Sequence, residues 1–531
     1  MKKFLKQYYN PNTDKINIDL MNHSQGETMM FYVINCCKIL EISKHIKIIG
    51  YEYVDDESKI DNSFYYSSRN KDYDDYKITF IKDSRCDELR IKFRLTTDEE
   101  EQIVEKRILI PIADRWGYYT IKGNRYILMY QLVDVTFNKG SSVVLKTTMG
   151  IDIERKSHEI KDARKNVYNV PIYNVDIFRV RPDIILLYLA KFGVDKTLRY
   201  FGVSKIVRFD TTFHDDDEVN LYFPISSSFF IVVNKHMFER HQYVKSIVGM
   251  ILKVSTNRVN KEILEDSEYW YKKIGMLYTT ANPITRGTSM VYSFERMFDD
   301  TTQYILKLNR DNKEDVYSVC RWMIQNFNEL RAKDNQDINN KRVRDAEYRA
   351  MMLSVDFTTR IRSVIREGNN VKMKTLKDTL KFPGDIIISK LYSSGILRYD
   401  DQTNDLDFFT KFKYTTKGPN ALGNKSANTI GAKSRTIHPS YIGKVDINVF
   451  GNSDPGTSGM LTPFCKTPNM YFSDKNEPEN GAWDMAQDRL DVLEQEGYHV
   501  ERMGLDTPEK YYGVEDKSKD VTLETYKHRF K

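Results

Sequence analysis

Apolar residues recur along this chain at two periods, and the periods separate candidate helices from candidate strands. Glu27 to Leu40 is rich in apolar residues and reads as a helix. Ile46–Tyr53, Tyr76–Phe80 and Leu89–Leu95 alternate, as half-buried strands do. Arg107 to Leu132 reads as strand, turn, strand, turn, strand: Ile108–Ile112, Tyr118–Ile121 and Tyr126–Tyr130 are the β-prone runs, with turn chemistry at Gly117 and Gly123-Asn124. Pro182 to Phe201 looks helical, and Val219 to Val233 looks like strands around Pro224. Val316, Val319, Cys320, Met323, Phe327 and Leu330 fall at steps of three and four, so Val316 to Leu330 is expected to be a helix whose stripe is core. Val343, Ala346, Ala350, Leu353, Phe357, Ile361 and Val364 share a helix face in the same way, with Gly368-Asn369 as the stop. Arg342, Arg349 and Arg360 would line up beside that seam. Ile386–Leu391 is strongly apolar, and Tyr399–Asp407 is acidic and loop-like.

Composition changes this picture little. At 531 residues the chain is long for one core, and roughly two to four domains are expected. The formal net charge of +6 permits nucleic-acid binding without requiring it. Five cysteines without a C-x-x-C pair imply neither a disulfide framework nor a zinc site, and fit a reducing compartment. The start MKKFLKQYYN lacks the apolar stretch of a signal peptide, and no apolar run is long enough for a membrane span. A soluble protein inside a cell is expected.

Charge patterning is more informative. From Phe408 to Val445 there is no Asp or Glu, whereas Lys411, Lys413, Lys417, Lys425, Lys433, Arg435 and Lys444 fall in that run, broken by Gly418, Gly423, Gly431 and Gly443. Cations neutralise phosphate, and glycines let backbone approach it; a solvated basic loop would read the same way. The tail from Ser473 to Lys531 has the opposite bias, with 15 acidic against 9 basic residues. It suits a peripheral helical segment or a partner-binding tail that does not touch DNA.

Several chemistries are excluded. Gly451 to Ser458 has Walker-type glycine spacing, but Thr457 stands where the phosphate-binding lysine is needed. His214-Asp215-Asp216-Asp217-Glu218 is acidic, but consecutive side chains diverge and do not converge on one ion. No Ser-His-Asp arrangement, H-E-x-x-H or D-x-D-x-D signature occurs, so a self-sufficient nuclease or polymerase centre is not indicated.

Three stretches, in order, resemble the β subunit of multisubunit DNA-dependent RNA polymerases. The first is Ile110-Pro111-Ile112, Gly117, Tyr119, Ile121, Gly123, Arg125 and Gln131, similar to an IPL-type strand, G-x-F-I-I-N-G and R-V-I-V-x-Q, one residue shorter before the arginine. The second is Asp337 to Glu347, where Asn340, Arg342, Val343, Arg344 and Glu347 match a shortened D-D-I-D-x-x-x-N-[RK]-R-[IV]-R-x-x-G-E, with Ala346 replacing its glycine. The third is Ala421-Leu422-Gly423 followed by Arg435 to Val445, similar to the family's fork, R-x-[VI]-H-P-[TS]-x-x-G-[RK]-[VI]. After it, Pro455, Gly456 and Gly459 resemble a T-P-E-G-x-N-[IV]-G loop that here lacks the glutamate.

The resemblance implies a multidomain α+β chain like the N-terminal half of β: protrusion from 1–140 and 335–410, lobe from 141–334, fork from 411–470, and an acidic tail from 471–531. It implies a split β subunit, as in giant bacteriophages, forming one wall of the DNA/RNA cleft. Lys417, Lys425, Lys433, Arg435 and Lys444 would contact DNA or the RNA–DNA hybrid, with Arg342 and Arg344 as second choices. His438 and Pro439 would shape a turn. The chain would not catalyse alone: Mg²⁺ would sit on an aspartate triad of a partner. Implied partners are a C-terminal β fragment, β′-like fragments, template and hybrid, and a promoter-specificity subunit, in the cytoplasm of the infected host or packaged in the virion. The alternative is a non-enzymatic phage nucleic-acid-binding or structural protein.

Overall fold

The computed structural model describes residues 26–54, 84–113, 118–134, 136–139, 141–145, 150–177, 180–214, 218–255, 259–278, 282–298, 315–344, 346–367, 370–394, 396–399, 413–416, 435–446 and 456–462, with Cys465, Thr467 and Phe472. It is a mixed α+β structure of several small sheets with helices packed between them. Tyr76–Phe80, Gly117, Asp215–Asp217, Gly368-Asn369, Asp400–Asp407, Lys417, Lys425, Lys433 and the tail beyond Phe472 lie outside the described residues.

The first layer is an antiparallel sheet of β1 (Ile46–Val54), β2 (Cys86–Thr96) and β3 (Glu101–Pro111). In β2, Leu89, Ile91, Phe93 and Leu95 are fully buried, whereas Lys92 and Arg94 face water. That is the period-two pattern of a sheet with one covered face. The cover includes α1 (Gly26–Cys37) and the long helix Ala346–Glu367. Along that helix Ala350, Leu353, Phe357, Ile361 and Val364 are buried without remainder, as the spacing predicts.

β4 (Tyr118–Ile121) and β5 (Asn124–Leu128) form a two-residue hairpin. Its turn residues Lys122 and Gly123 both have positive φ, 52° and 76°, as a type I′ turn requires. Leu397–Tyr399 pairs with the other edge of β5.

Thr136–Lys139, Ser142–Leu145, Ile151–Lys161 and Val167–Val175 form an antiparallel sheet, and Val207–Asp210, Asn220–Ser226 and Phe229–Asn234 a second one in which Phe229–Asn234 is central. Pro224 lies in Asn220–Ser226, an edge strand of that sheet, beside a register shift. An edge is where a residue without an N–H does least harm. The helix expected over Pro182–Phe201 is Ile184–Tyr200, kinked at Gly193.

The helix expected over Val316–Leu330 is two helices, Val316–Gln325 and Phe327–Ala332. Asn326 separates them at φ −101° and ψ 17°, its side-chain amide donating to the Trp322 carbonyl. Such local side-chain bonds compete with helix propagation. The apolar stripe itself is core: Val316, Val319, Cys320, Met323, Phe327 and Leu330 are all buried.

Candidate nucleic-acid interface

Four strands far apart in sequence make one small sheet. In it β6 (Tyr130–Asp134) lies between Lys341–Arg344 and Lys413–Thr415, and Ser458–Met460 pairs with the latter. The pairings are antiparallel, parallel and antiparallel in that order. The three stretches that look polymerase-like in the sequence thus each place residues in this sheet or directly against it. Tyr130, Leu132, Ile338, Val343, Tyr414, Tyr441, Val445, Leu461, Cys465 and Phe472 form its apolar core.

The strand Lys341–Arg344 is unusual because it buries its charges. Lys341 and Asp134 are 3% and 4% exposed at the side chain, and Lys341 Nζ lies 2.6 Å from Asp134 Oδ1. The same ammonium donates to the Asn335 carbonyl at 2.6 Å. Arg342 donates both terminal nitrogens to Glu347, at 2.6 and 2.8 Å. Arg344 donates to Gln131 Oε1 and lies 3.8 Å from Glu347 Oε1. Bidentate guanidinium–carboxylate geometry is strong and directional, which makes such burial tolerable. Burial pulls the Arg344 guanidinium down to about 10; Glu347 opposes the fall and Arg342 adds to it. The group still carries its proton at neutral pH.

Arg342 and Arg344 are therefore not where the sequence reading put them. They are 3% and 1% exposed, and their guanidiniums are held by Glu347 and Gln131. The stripe of Arg342, Arg349 and Arg360 does not form either. Arg342 and Val343 belong to a strand, because pairing with β6 draws them out of the helix. Arg349 is buried over the Tyr119 ring, 5.0 Å from its centroid.

The fork-like segment 435–446 packs across this sheet. His438 sits just before the 3₁₀ turn Pro439–Tyr441 and caps it, its Nδ1 accepting from the Ser440 amide at 3.2 Å. A turn-shaping role for His438 and Pro439 agrees with this geometry. Ser440 Oγ accepts from the Ile338 amide at 3.0 Å, and Lys444 Nζ donates to Asn339 Oδ1. The second and third polymerase-like stretches are thus tied to each other directly.

Gly456 lets the next segment close over the stretch 435–446. Its φ is +74°, and a Cβ there would lie 2.0 Å from the Arg435 carbonyl oxygen. Beyond it, Thr416 donates from its amide to the Thr457 carbonyl at 2.8 Å, Asp446 to Met460 at 2.8 Å and Thr462 to Lys444 at 3.0 Å.

Of the five cations expected between 417 and 444, Arg435 and Lys444 are described and both are half-buried. Thr436 and Ile437 beside Arg435 are exposed. Gln131 and Glu347 fall within the sequence matches, but nothing in the sequence shows their task of holding buried arginines. Nothing in the sequence pairs Lys341 with Asp134; the one signal is an acid at the end of the strand-forming run Tyr130–Asp134. Among the described residues, no group of His, Cys, Asp or Glu could hold a metal ion, and no helix is long and apolar enough to cross a membrane.

Comparison with protein families decides the class. The model of the family described as "Non-virion RNA polymerase subunit" matches residues 6–483. The chain belongs to that family. It is a subunit of a phage RNA polymerase, and other polymerase subunits are its partners. The match spans all four strands of the small sheet and both segments that close over it. No curated protein matches the chain.

Proposed function

We propose that this polymerase subunit is the N-terminal part of a split β-like subunit, and that it forms one wall of the cleft holding DNA and RNA during transcription. One observation carries the reading. Stretches near residues 110–131, 337–347 and 435–445, similar to β in that order, meet in and around a single sheet although Gln131 and Arg344 are 213 residues apart. A chance likeness in three separate stretches gives no reason for them to converge.

In this reading 1–140 and 335–410 make a protrusion, 141–334 a lobe and 411–470 a fork, while 471–531 binds a partner chain. The fork cations Lys417, Lys425, Lys433, Arg435 and Lys444 contact phosphates of the template or the RNA–DNA hybrid. Phosphate contacts position a nucleic acid without reading its sequence, which suits an enzyme that must transcribe any template. The aspartates that hold Mg²⁺ belong to a β′-like partner, and a C-terminal β fragment completes the wall. The complex works in the cytoplasm of the infected bacterium.

The test is purification from infected cells through a tag on this chain, followed by transcription with and without what co-purifies. The expected result is an assembly containing β′-like and C-terminal β-like chains that makes RNA, and an isolated chain that makes none. A chain that purifies alone and binds DNA would replace this reading with that of a nucleic-acid-binding protein.

A further inference from the structure

Segment 435–446 meets residues 334–340 through one serine and the histidine beside it. Ser440 Oγ accepts from the Ile338 amide at 3.0 Å and lies 2.8 Å from His438 Nδ1. The Ser440 amide also donates to Nδ1, at 3.2 Å. A backbone N–H can only donate, so Nδ1 holds its lone pair, and in the neutral ring the proton sits on Nε2. The Ser440 hydroxyl, whose oxygen already receives the Ile338 amide, then gives its own proton to the same Nδ1. Nε2 in turn faces Asp334 Oδ2 at 3.8 Å. The chain of groups leaves residues 334–340 at Ile338 and returns to them at Asp334.

Ser440 stands at the centre of this chain. It links two stretches of main chain through one short side chain, so it fixes both distance and direction. Lys444 adds a tie from the same segment to Asn339, but through a long flexible stem.

Arg435 depends on such anchoring more than the buried arginines do. Arg342 and Arg344 are aimed by Glu347 and Gln131. Arg435 Nε is buried without a hydrogen-bond partner, and among the described residues no carboxylate pairs with the guanidinium. Its direction is therefore set by its main chain. The loop at Gly456 packs against the Arg435 carbonyl, and the chain is next fixed at His438 and Ser440. Between these anchors Thr436 and Ile437 are exposed. A guanidinium–phosphate contact is short and directional, so a small shift of this stretch is enough to lose it.

We propose that Ser440 is a positioning residue: by tying segment 435–446 to Ile338 it sets where the Arg435 guanidinium meets a nucleic-acid phosphate. This rests on the reading of Arg435 as a phosphate contact. Ser440 carries no charge and is not itself a phosphate contact, so its part in binding is visible only through Arg435.

The experiment measures duplex DNA binding against salt for assembled polymerases carrying the wild-type chain, S440A, S440T, R435Q, or S440A with R435Q. Loss of one phosphate contact makes the slope of log affinity against log salt shallower by about 0.9, and R435Q should show that change. S440A should show the same change although it removes no charge, and S440T, which restores the hydroxyl, should keep the wild-type slope. The double variant should match R435Q alone, because both residues act through one contact. A wild-type slope in S440A beside a shifted one in R435Q overturns the proposal, and so does a double variant that loses about twice as much as R435Q. An unchanged slope in R435Q removes the phosphate contact itself, and the positioning role falls with it. Thiol labelling of Cys465, which shares an apolar core with Tyr441 and Val445, separates displacement from unfolding. It should be as slow in S440A as in the wild type; faster labelling would assign the slope change to an opened core and overturn the proposal.

Discussion

The strand Lys341–Arg344 and the fork-like segment 435–446 carry the same kinds of cation and use them in opposite ways. In the strand every position is buried, and three cations are held by Asp134, Glu347 and Gln131. In the fork-like segment Arg435 and Lys444 stay half-buried. A lysine or arginine in a motif therefore reveals little until its partners are known. A carboxylate three to five residues away, or across a strand, turns a candidate ligand contact into part of the scaffold.

The largest test of that contrast is Glu347→Ala. It leaves the Arg342 and Arg344 guanidiniums buried without their carboxylate. Breaking a buried pair from one side costs about 3–5 kcal/mol, and chemical denaturation should show a loss of that size. A loss below about 1 kcal/mol would mean the network adds little to the fold. Asp134→Asn should act similarly on Lys341. Replacing both members, Asp134→Leu with Lys341→Met, should restore most of the stability, because apolar residues of similar volume can substitute for a buried pair. A double variant as unstable as the single one would argue for a further task of Lys341.

Gly456→Ala comes next. Positive φ in a residue with a Cβ costs about 1–3 kcal/mol, and the close Arg435 carbonyl leaves no room for the added carbon. The effect should be local to the fork-like segment 435–446. Cys465 belongs to the same apolar core, and burial pushes its thiol up to about 12. Peptide-resolved thiol labelling should therefore be slow at Cys465 in the wild type and faster in the variant, with Cys320 unchanged. Equal acceleration at both cysteines would show that the segment 435–446 does not open by itself.

Arg435→Gln should do the reverse of Glu347→Ala. It should leave stability within about 0.5 kcal/mol, as surface substitutions do. In the assembled enzyme it should make the salt slope shallower by about 1, as loss of one phosphate contact would. A marked fall in stability with no change in slope would move Arg435 into the scaffold beside Arg342.

The smallest effect is a pH dependence at an ordinary surface network. Burial alone would raise the Glu154 carboxyl, but hydrogen bonds from Arg181 and Lys156 outweigh it and hold the group below its ordinary value. A lowered carboxyl pKa stabilises the fold above the unfolded value and loses that contribution as pH falls through the folded one. Glu154→Gln should thus flatten the stability profile below about pH 4.5 and change little at neutral pH.

The sequence by itself determined the elements whose period is local. Leu89 to Leu95 alternates and is a strand; Ala350 to Val364 steps by three and four and is a helix; Gly123-Asn124 signals a hairpin turn, which the structure places one residue earlier, at Lys122-Gly123. Each follows from backbone geometry and a handful of neighbouring residues. The order of the polymerase-like stretches was also legible, and the family match agrees with the class it suggested. Tertiary structure alone decided which cations are available. Arg342 and Val343 fit the helical spacing that follows them, yet they pair with a strand more than 200 residues earlier. That pairing, with Glu347 and Gln131 placed to receive the guanidiniums, sets whether an arginine faces water or the core. Desolvation and long-range pairing are properties of the assembled chain, and no local pattern encodes them.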